Sequence, residues 1–351
     1  MKICLFCENK YAIDILNPLQ EEAAKEGDND VLWYVHRKKI PDFPLKDKVK
    51  YTFEMQEVKD FHPDAIFAPG NIVPYYLSGV KVQIFHGYAA EKKDQFHIRN
   101  YFDLYLTQGK YFTDEFLKLK EKYRDFEVVE TGWTRQDWVF ANLHSYDDRK
   151  KELLAKYGKK TMVLYAPTFS PKLTSLPHIK EQLRELAQKE DVLVMIKLHP
   201  LTCQEWVEDY KALASECENV IFVDDFTIAP YILMSDVMIS DTSSTVYEML
   251  LQDKPVITLR SIAQKDAIYW CNIDKPEQLM DAYKETMSND SKYTELRRWI
   301  IDNYDPYLDG NVSHRMLDAA RDYIRRNGVP EKRKLNFWRK YTSIKTFGRV
   351  N

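Results

Sequence analysis

The chain has 351 residues, too many for one ordinary hydrophobic core and suited to two domains at the usual ~150 residues each. Hydrophobic residues at 44%, charged residues at 30% and aromatics at 13% describe a globular protein and exclude disorder over most of its length. A net charge of −3 argues against nucleic acid as a partner, and 10 glycines without a Gly-x-Gly-x-x-Gly or Walker-type loop disfavour a glycine-rich dinucleotide or P-loop site.

The N-terminus enters apolar, strand-like sequence at once. It shows neither the h-region nor the cleavage site of a secretory signal, and no run of about 18 apolar residues follows anywhere. The sequence therefore predicts a cytoplasmic protein. Five scattered cysteines fit reduced thiols there, because Cys4-x-x-Cys7 lacks the second pair of a zinc site. No bound metal is expected.

Short apolar runs at 2–6, 31–35, 65–68, 82–85, 104–107 and 128–130 read as strands, with helical spacing at 13–24 and 111–120. A charged segment opening at Ser145 places the domain boundary near 145–158. The alternation then resumes, with strands at 161–165, 192–197, 220–223, 237–239 and 256–259. Helices are expected at 178–189, 203–215, 228–234, 245–251, 276–287 and 313–326. Strands alternating with helices imply parallel βαβ units. The predicted fold is thus α/β: two Rossmann-like, doubly wound domains facing a cleft, covering residues 1–150 and 151–330, with a tail at 331–351. In each domain a ligand should meet the carboxyl ends of the strands, as in transferases that handle nucleotide-activated donors.

Residues suited to chemistry stand at those ends. His86 follows the 82–85 strand, before Gly87. It suits a general base, and equally a packing histidine. Arg135, in Glu130-Thr-Gly-Trp-Thr-Arg-Gln-Asp137, could pair a phosphate, or an acid such as Asp137. Thr168 and Ser170, in Tyr165-Ala-Pro-Thr-Phe-Ser170, offer hydroxyls. Lys197 and His199 are two positions apart at a strand end, where alternation should turn them to the same side. A cation and an imidazole there suit a departing diphosphate, though a snorkelling lysine is equally ordinary. Finally, Asp236–Leu251 runs from a strand through Ser240, Thr242, Ser243 and Ser244 onto a helix, with Thr245 and Glu248 at capping-box spacing. Such a turn presents backbone N–H groups to a phosphate, or is simply a well-capped helix.

Taken together, His86-Gly87, Thr131-Gly132-x-x-Arg135-x-Asp137, Ala166-Pro167-Thr168, Lys197-x-His199-Pro200, Ser240-Asp241-x-Ser243-Ser244 and Lys254-Pro255-Val256 resemble, in order and spacing, the CDP-glycerol glycerophosphotransferase family of teichoic-acid primases, polymerases and related capsule enzymes. The resemblance covers about residues 86–259. It implies a GT-B fold, an acceptor-side first domain, a donor-binding second domain and peripheral attachment at the cytoplasmic membrane face. The implied reaction carries glycerol phosphate, or another polyol phosphate, from a CDP-activated donor to a polyol-phosphate or saccharide acceptor, lipid-linked or free, and releases CMP. No cofactor is implied, the CDP-activated donor being a substrate. By position, His86 becomes the candidate base and His199 a donor-phosphate ligand. Thr168, Ser243 and Ser244 would surround the diphosphate, and Glu248 would lie near the ribose.

Residues 331–351 carry seven Lys/Arg against Glu331, interleaved with Phe337, Trp338, Tyr341, Ile344 and Phe347. A basic, aromatic-rich segment of this kind suits an anionic membrane surface; a solvated tail, or one packed on the first domain, is the plain alternative. Two rival functions remain at this point. One is a glycosyltransferase that attacks the carbon of a nucleotide sugar. The other is a non-catalytic partner in a surface-polymer assembly.

Overall fold

The computed structural model describes residues 1–88, 95–225, 227–262, 270–288 and 291–350. The chain divides into two compact units, one formed by Met1–His86, Lys93–Ala141 and Tyr304–Asn351, the other by Gly87–Lys92 and Asn142–Asn303.

Unit 1 contains β1 (Lys2–Cys7), α1 (Ala12–Glu26), β2 (Asp30–Val35), β3 (Tyr51–Thr52), α2 (Met55–Phe61), β4 (Ala65–Ala68), β5 (Val80–Gln83), β6 (Leu104–Thr107), α3 (Lys110–Tyr123), β7 (Glu127–Glu130) and α4 (Arg135–Asn142). Its seven strands are all parallel, in the order β3-β2-β1-β4-β5-β6-β7. From Ile3 to Cys7 every residue of β1 is buried, as a strand covered on both faces requires. Helix α1 buries Ile13, Ile15, Leu16 and Leu19 and stops at Gly27, whose φ of 77° is the left-handed cap conformation that glycine adopts without penalty.

Unit 2 contains α5 (Asp147–Tyr157), β8 (Thr161–Tyr165), α6 (Leu176–Lys189), β9 (Val192–Ile196), α7 (Gln204–Glu216), β10 (Val220–Phe222), α8 (Ala229–Met234), β11 (Val237–Ser240), α9 (Thr245–Leu250), β12 (Val256–Leu259), β13 (Cys271–Ile273), α10 (Leu279–Ser288) and most of α11 (Ser291–Tyr304). Its parallel sheet runs β10-β9-β8-β11-β12-β13. The core lies where Ile179, Leu183 and Leu186, one face of α6, meet Val163, Val194 and Ile239 of the sheet. In both units the chain first winds outward on one side and then returns to the other. The turnover falls between β1 and β4 in unit 1, and between β8 and β11 in unit 2. The carboxyl ends of those strand pairs are where a doubly wound sheet opens a crevice for ligands.

Three expectations need correcting. The second unit does not extend to residue 330, because the chain rejoins unit 1 from Tyr304. Helix α12 (Val312–Asn327) buries Val312, Met316, Leu317 and Ala320, and Asp137 accepts its first N–H groups from Val312 and Ser313 at 2.8 and 2.7 Å. Residues 145–158, expected as the domain boundary, hold α5 inside unit 2, which resumes at Asn142; α5 buries none of its side chains and so shows no apolar period. The fifth strand spans 80–83 rather than 82–85 because Lys81 is fully buried in it. Its ammonium donates to the carbonyls of Leu77 and Gly79 at 2.6 and 2.9 Å, and burial lowers its pKa to about 8.

The basic tail is structured. It folds as α13 (Phe337–Phe347), started by Asn336, whose side chain accepts the Arg339 N–H at 3.0 Å. Phe347 meets the rings of Phe6 and Tyr34 at 5.3 and 6.5 Å. Arg333, 9% exposed, is bound to Asp103 and donates to Asp125 at 3.0 Å and to the Asn100 carbonyl at 2.6 Å. Removing the guanidinium would leave Asp103 buried without its partner. Arg333→Ala is therefore expected to cost about 3–5 kcal/mol, read by denaturant unfolding of the whole chain. A loss below about 1 kcal/mol would show that Asp103 finds other partners.

Candidate functional site

In unit 1 the carboxyl edge at the turnover carries Glu8 after β1, Pro69 and Gly70 after β4, and His86 after β5. Phe85, just before His86, is buried with φ at 56°, a left-handed conformation that a bulky side chain resists at a cost of about 1–3 kcal/mol. That strained step turns the chain so that His86 emerges exposed while Phe85 packs inward. His86 Nδ1 lies 2.9 Å from the Pro69 carbonyl oxygen. A carbonyl can only accept, so Nδ1 carries a proton, and in the neutral ring Nε2 holds the lone pair. This is the tautomer of a general base. The Tyr11 ring stands 5.4 Å from the imidazole.

In unit 2 the corresponding edge is formed by the loops after β8, β9 and β11. Asp241, directly after β11, is fully buried. It accepts hydrogen bonds from the Thr168 and Ser175 N–H groups at 2.8 and 2.7 Å and from the Ser175 hydroxyl at 2.8 Å. Ser240 adds a bond from its hydroxyl to the Ala166 carbonyl at 2.6 Å. The two loops at the turnover are thereby fastened together, with Ala166-Pro167-Thr168 on one side and Thr242–Ser244 on the other. Burial raises the Asp241 pKa from 3.8 to about 6, against the pull of its three donors.

His199, exposed after β9, is set the opposite way from His86. The Leu201 N–H donates to its Nδ1 at 3.1 Å, so Nε2 carries the proton and is a hydrogen-bond donor. Phe169 stacks on the imidazole at 4.4 Å and fixes its plane. The two imidazoles thus use Nδ1 in opposite ways, His86 as donor and His199 as acceptor.

Other expected site residues fall differently. Lys197 is 7% exposed, with its ammonium on the Leu198 carbonyl at 3.2 Å, and burial lowers its pKa. It does not share the exposure of His199. Arg135 lies 3.8 Å from Asp14 of α1, and its guanidinium is 5.7 Å from the Trp133 ring centre. The Thr131-Gly132 step beside it admits the returning chain closely: a side chain at Gly132 would meet Tyr307 and Val312 at 2.9 Å. Much of the 131–137 motif thus holds residues 305–315 in place. The capping box at Thr245 and Glu248 does not form, since Ser244 precedes α9 and makes no side-chain cap bond. Thr245 instead bonds the Ser243 hydroxyl at 2.9 Å, and Ser243, Ser244 and Glu248 are half-buried at that edge. Lys254 of the Lys-Pro-Val motif donates to the last carbonyls of α8, Ile232 and Leu233, at 3.0 and 2.6 Å.

Asp241 was given no separate role by sequence reading, although an acid directly after an apolar strand was the available signal. Among the described residues, Glu22, Glu26 and His314 are placed to share a metal ion. They sit on α1 and α12, with Glu26 bound to Arg321, away from the edge that carries His86.

Two doubly wound parallel sheets with this strand order are the GT-B arrangement. The chain resembles S. aureus MnaA, solved with UDP, at a TM-score of 0.67 and 16% identity, covering 96% of this chain and 99% of that one. It likewise resembles the wall teichoic acid polymerase TagF, at a TM-score of 0.66 and 15% identity, covering 92% and 89%. The fold is GT-B. Residues 77–263, more than half of the sequence, match the family described as CDP-Glycerol:Poly(glycerophosphate) glycerophosphotransferase, and the chain belongs to that family. It is 26% identical over 310 residues to the teichoic acid ribitol-phosphate polymerase TarL of Staphylococcus aureus, a match covering 78% of this chain and 51% of TarL. With the teichoic acid glycerol-phosphate primase of Bacillus spizizenii it shares 33% identity over 116 residues, 31% of this chain and 29% of that protein. The chain thus spans about half the length of TarL, and the match to the primase is shorter still.

Proposed function

We propose that the chain transfers a polyol phosphate, glycerol phosphate foremost, from a CDP-activated donor to a hydroxyl of a growing cell-surface polymer, releasing CMP. The observation that carries this reading is the opposite setting of the two histidines, one as base and one as donor. His86 Nε2 takes the proton of the acceptor hydroxyl as its oxygen attacks the phosphorus bonded to the polyol. The bond from that phosphorus to the bridging oxygen breaks, and CMP leaves with the electron pair. Charge growing on the leaving phosphate is met by His199 Nε2–H and by the hydroxyl groups of Thr168, Ser243 and Ser244. Helix α9 has six residues, so these groups rather than a long helix dipole supply the contact. Glu248 lies toward the ribose in this reading. Lys197 contributes potential from within the fold, and Arg135 serves unit 1 through Asp14. The reaction calls for no cofactor beyond the donor substrate.

The test is a product: CMP together with a new phosphodiester from CDP-glycerol or CDP-ribitol. A nucleoside diphosphate and a glycosidic bond from a UDP-sugar would replace this reading with glycosyl transfer.

The same reading places the chain at the inner face of the cell membrane. No helix among the described residues is long and apolar enough to cross a bilayer. Helix α13, however, leaves Phe337, Trp338 and Tyr341 exposed at 73%, 73% and 52%, with Lys334 and Lys345 exposed beside them. Aromatics and basic residues on one helix face suit an anionic interface, at about 1 kcal/mol per basic residue. Replacing Phe337 and Trp338 by serine is expected to weaken binding to phosphatidylglycerol vesicles at least roughly tenfold, and added salt to weaken wild-type binding. Binding that ignores both changes would remove α13 from the membrane.

A further inference from the structure

Glu8 is a buried acid that the proposed reaction does not use. It follows β1 at the turnover of unit 1, on the carboxyl edge that also carries His86. Its Oε1 accepts the Asn9 amide at 3.4 Å, while Oε2 is buried and has no hydrogen-bond partner among the described residues. The carboxyl group lies against Gly70, the residue after Pro69. A side chain at Gly70 would meet the Glu8 carboxyl carbon at 2.6 Å. Glycine is needed there for space rather than for backbone freedom.

His36 follows β2, the strand next to β1. Strands β1 and β2 pair in parallel with Cys7 opposite Val35, and the His36 N–H donates to the Cys7 carbonyl at 3.0 Å. Carried one residue further, that register sets the Glu8 backbone opposite that of His36. His36 Nδ1 is also buried without a partner among the described residues. Burial, then Lys39, lowers the His36 pKa, so the ring is neutral at pH 7. Burial raises the Glu8 pKa, with Lys39 opposing. On the other flank the Asn9 amide bonds the Tyr11 hydroxyl at 3.3 Å, and the Tyr11 ring adjoins His86. Glu8, Asn9, Tyr11 and His86 therefore form one continuous row.

A buried carboxylate oxygen with no donor is a standing penalty. A ligand hydroxyl that donates to Oε2 forms a bond where none exists, and the terminal torsion of glutamate turns easily. We propose that Glu8 forms a polyol subsite in which the carboxylate accepts hydrogen bonds from hydroxyls of the acceptor end group, holding the attacking hydroxyl next to His86. The inference rests on the polyol-phosphate reading and names the group that recognises the acceptor. Neutral, many-hydroxyl ligands fit a single carboxylate flanked by amide, phenol and imidazole better than a second phosphate would.

Two variants test it. Glu8→Gln keeps the size and weakens the acceptor bond from charged to neutral, so the KM for glycerol 3-phosphate as a soluble acceptor should rise roughly tenfold. The KM for CDP-glycerol and the release of CMP without acceptor should stay unchanged. Gly70→Ala removes the resting place but keeps the carboxylate, and should leave the acceptor KM at or below the wild-type value. An unchanged acceptor KM in Glu8→Gln, a parallel rise in both KM values, or a Gly70→Ala variant that mimics Glu8→Gln would overturn the subsite. A binding measurement separates this outcome from the fate of the transfer reaction. Saturation-transfer NMR signals of glycerol 3-phosphate should be strong with wild type and reduced with Glu8→Gln, whether or not CDP-glycerol is turned over. Equal signals would sink the subsite even if transfer is confirmed, and absent transfer with unequal signals would sink only the donor assignment.

Discussion

His86→Ala is expected to lower the transfer rate by about 10²–10⁴-fold, the usual contribution of a positioned general base. Donor affinity should hardly move, because the imidazole acts on the acceptor proton. The side chain is exposed, and its Nδ1 bonds the Pro69 carbonyl. Its removal should therefore leave the fold intact, which circular dichroism and thermal unfolding would show. Added imidazole should restore part of the rate, since an exposed site admits a small free base. A folded His86→Ala variant with full activity would end the assignment and move the search for the base to Tyr11 or Glu8.

The second large effect is expected at Asp241. Each of its carboxylate oxygens accepts a backbone N–H, from Thr168 on one side and Ser175 on the other. An asparagine in its place must turn an NH2 group toward one of those donors. Asp241→Asn should thus cost about 2–3 kcal/mol of stability and loosen the Thr168 loop, weakening CDP-glycerol binding. Acid should act on the same tie. Because burial raises the folded pKa to about 6 from 3.8, the folded chain takes the proton more readily than the unfolded one. This group therefore adds stability as pH falls from about 6 toward 4, and what weakens is the loop tie rather than the fold. Donor affinity is expected to decline as pH drops through about 6 in wild type, and the step should vanish in Asp241→Asn. Calorimetric titration with CDP-glycerol across that range decides it, and a flat wild-type profile would separate Asp241 from donor binding.

What sequence reading recovered, and what it did not, follows from how each residue is held. Strands such as β9 and β11 are buried along their whole length and show as unbroken apolar runs. Helices α6 and α12 bury one clean face, so their period was visible. Helix α5 buries nothing, and β13 is three residues long at a sheet edge, so neither leaves a pattern. Lys81 concealed the start of β5 because its ammonium is satisfied by the Leu77 and Gly79 carbonyls and by the charge of Asp103 rather than by water. Candidate positions were picked out where an apolar run stopped at a polar residue, as at His86, and the structure puts His86, Thr168 and His199 at the carboxyl edges of the sheets. The tautomers were not legible, because Pro69 and Leu201 set them through backbone atoms that any sequence supplies. For the same reason the capping spacing at Thr245 and Glu248 misled: the hydroxyl found a nearer partner in Ser243.

The return of the chain from Tyr304 into unit 1 has a consequence for biosynthesis. Arg333, which neutralises buried Asp103, leaves the ribosome after every residue of unit 2. At about 5–20 residues per second, β5 and β6 exist for roughly ten seconds or more before that arginine arrives. During the interval Asp103 has no guanidinium and the face later covered by α12 is bare. The second-made unit, nearly continuous in sequence, is free to close first, so the first-made unit is the last to be completed. Truncation before Arg333 should therefore show as an insoluble nascent product rather than as a soluble protein with a weakened tail.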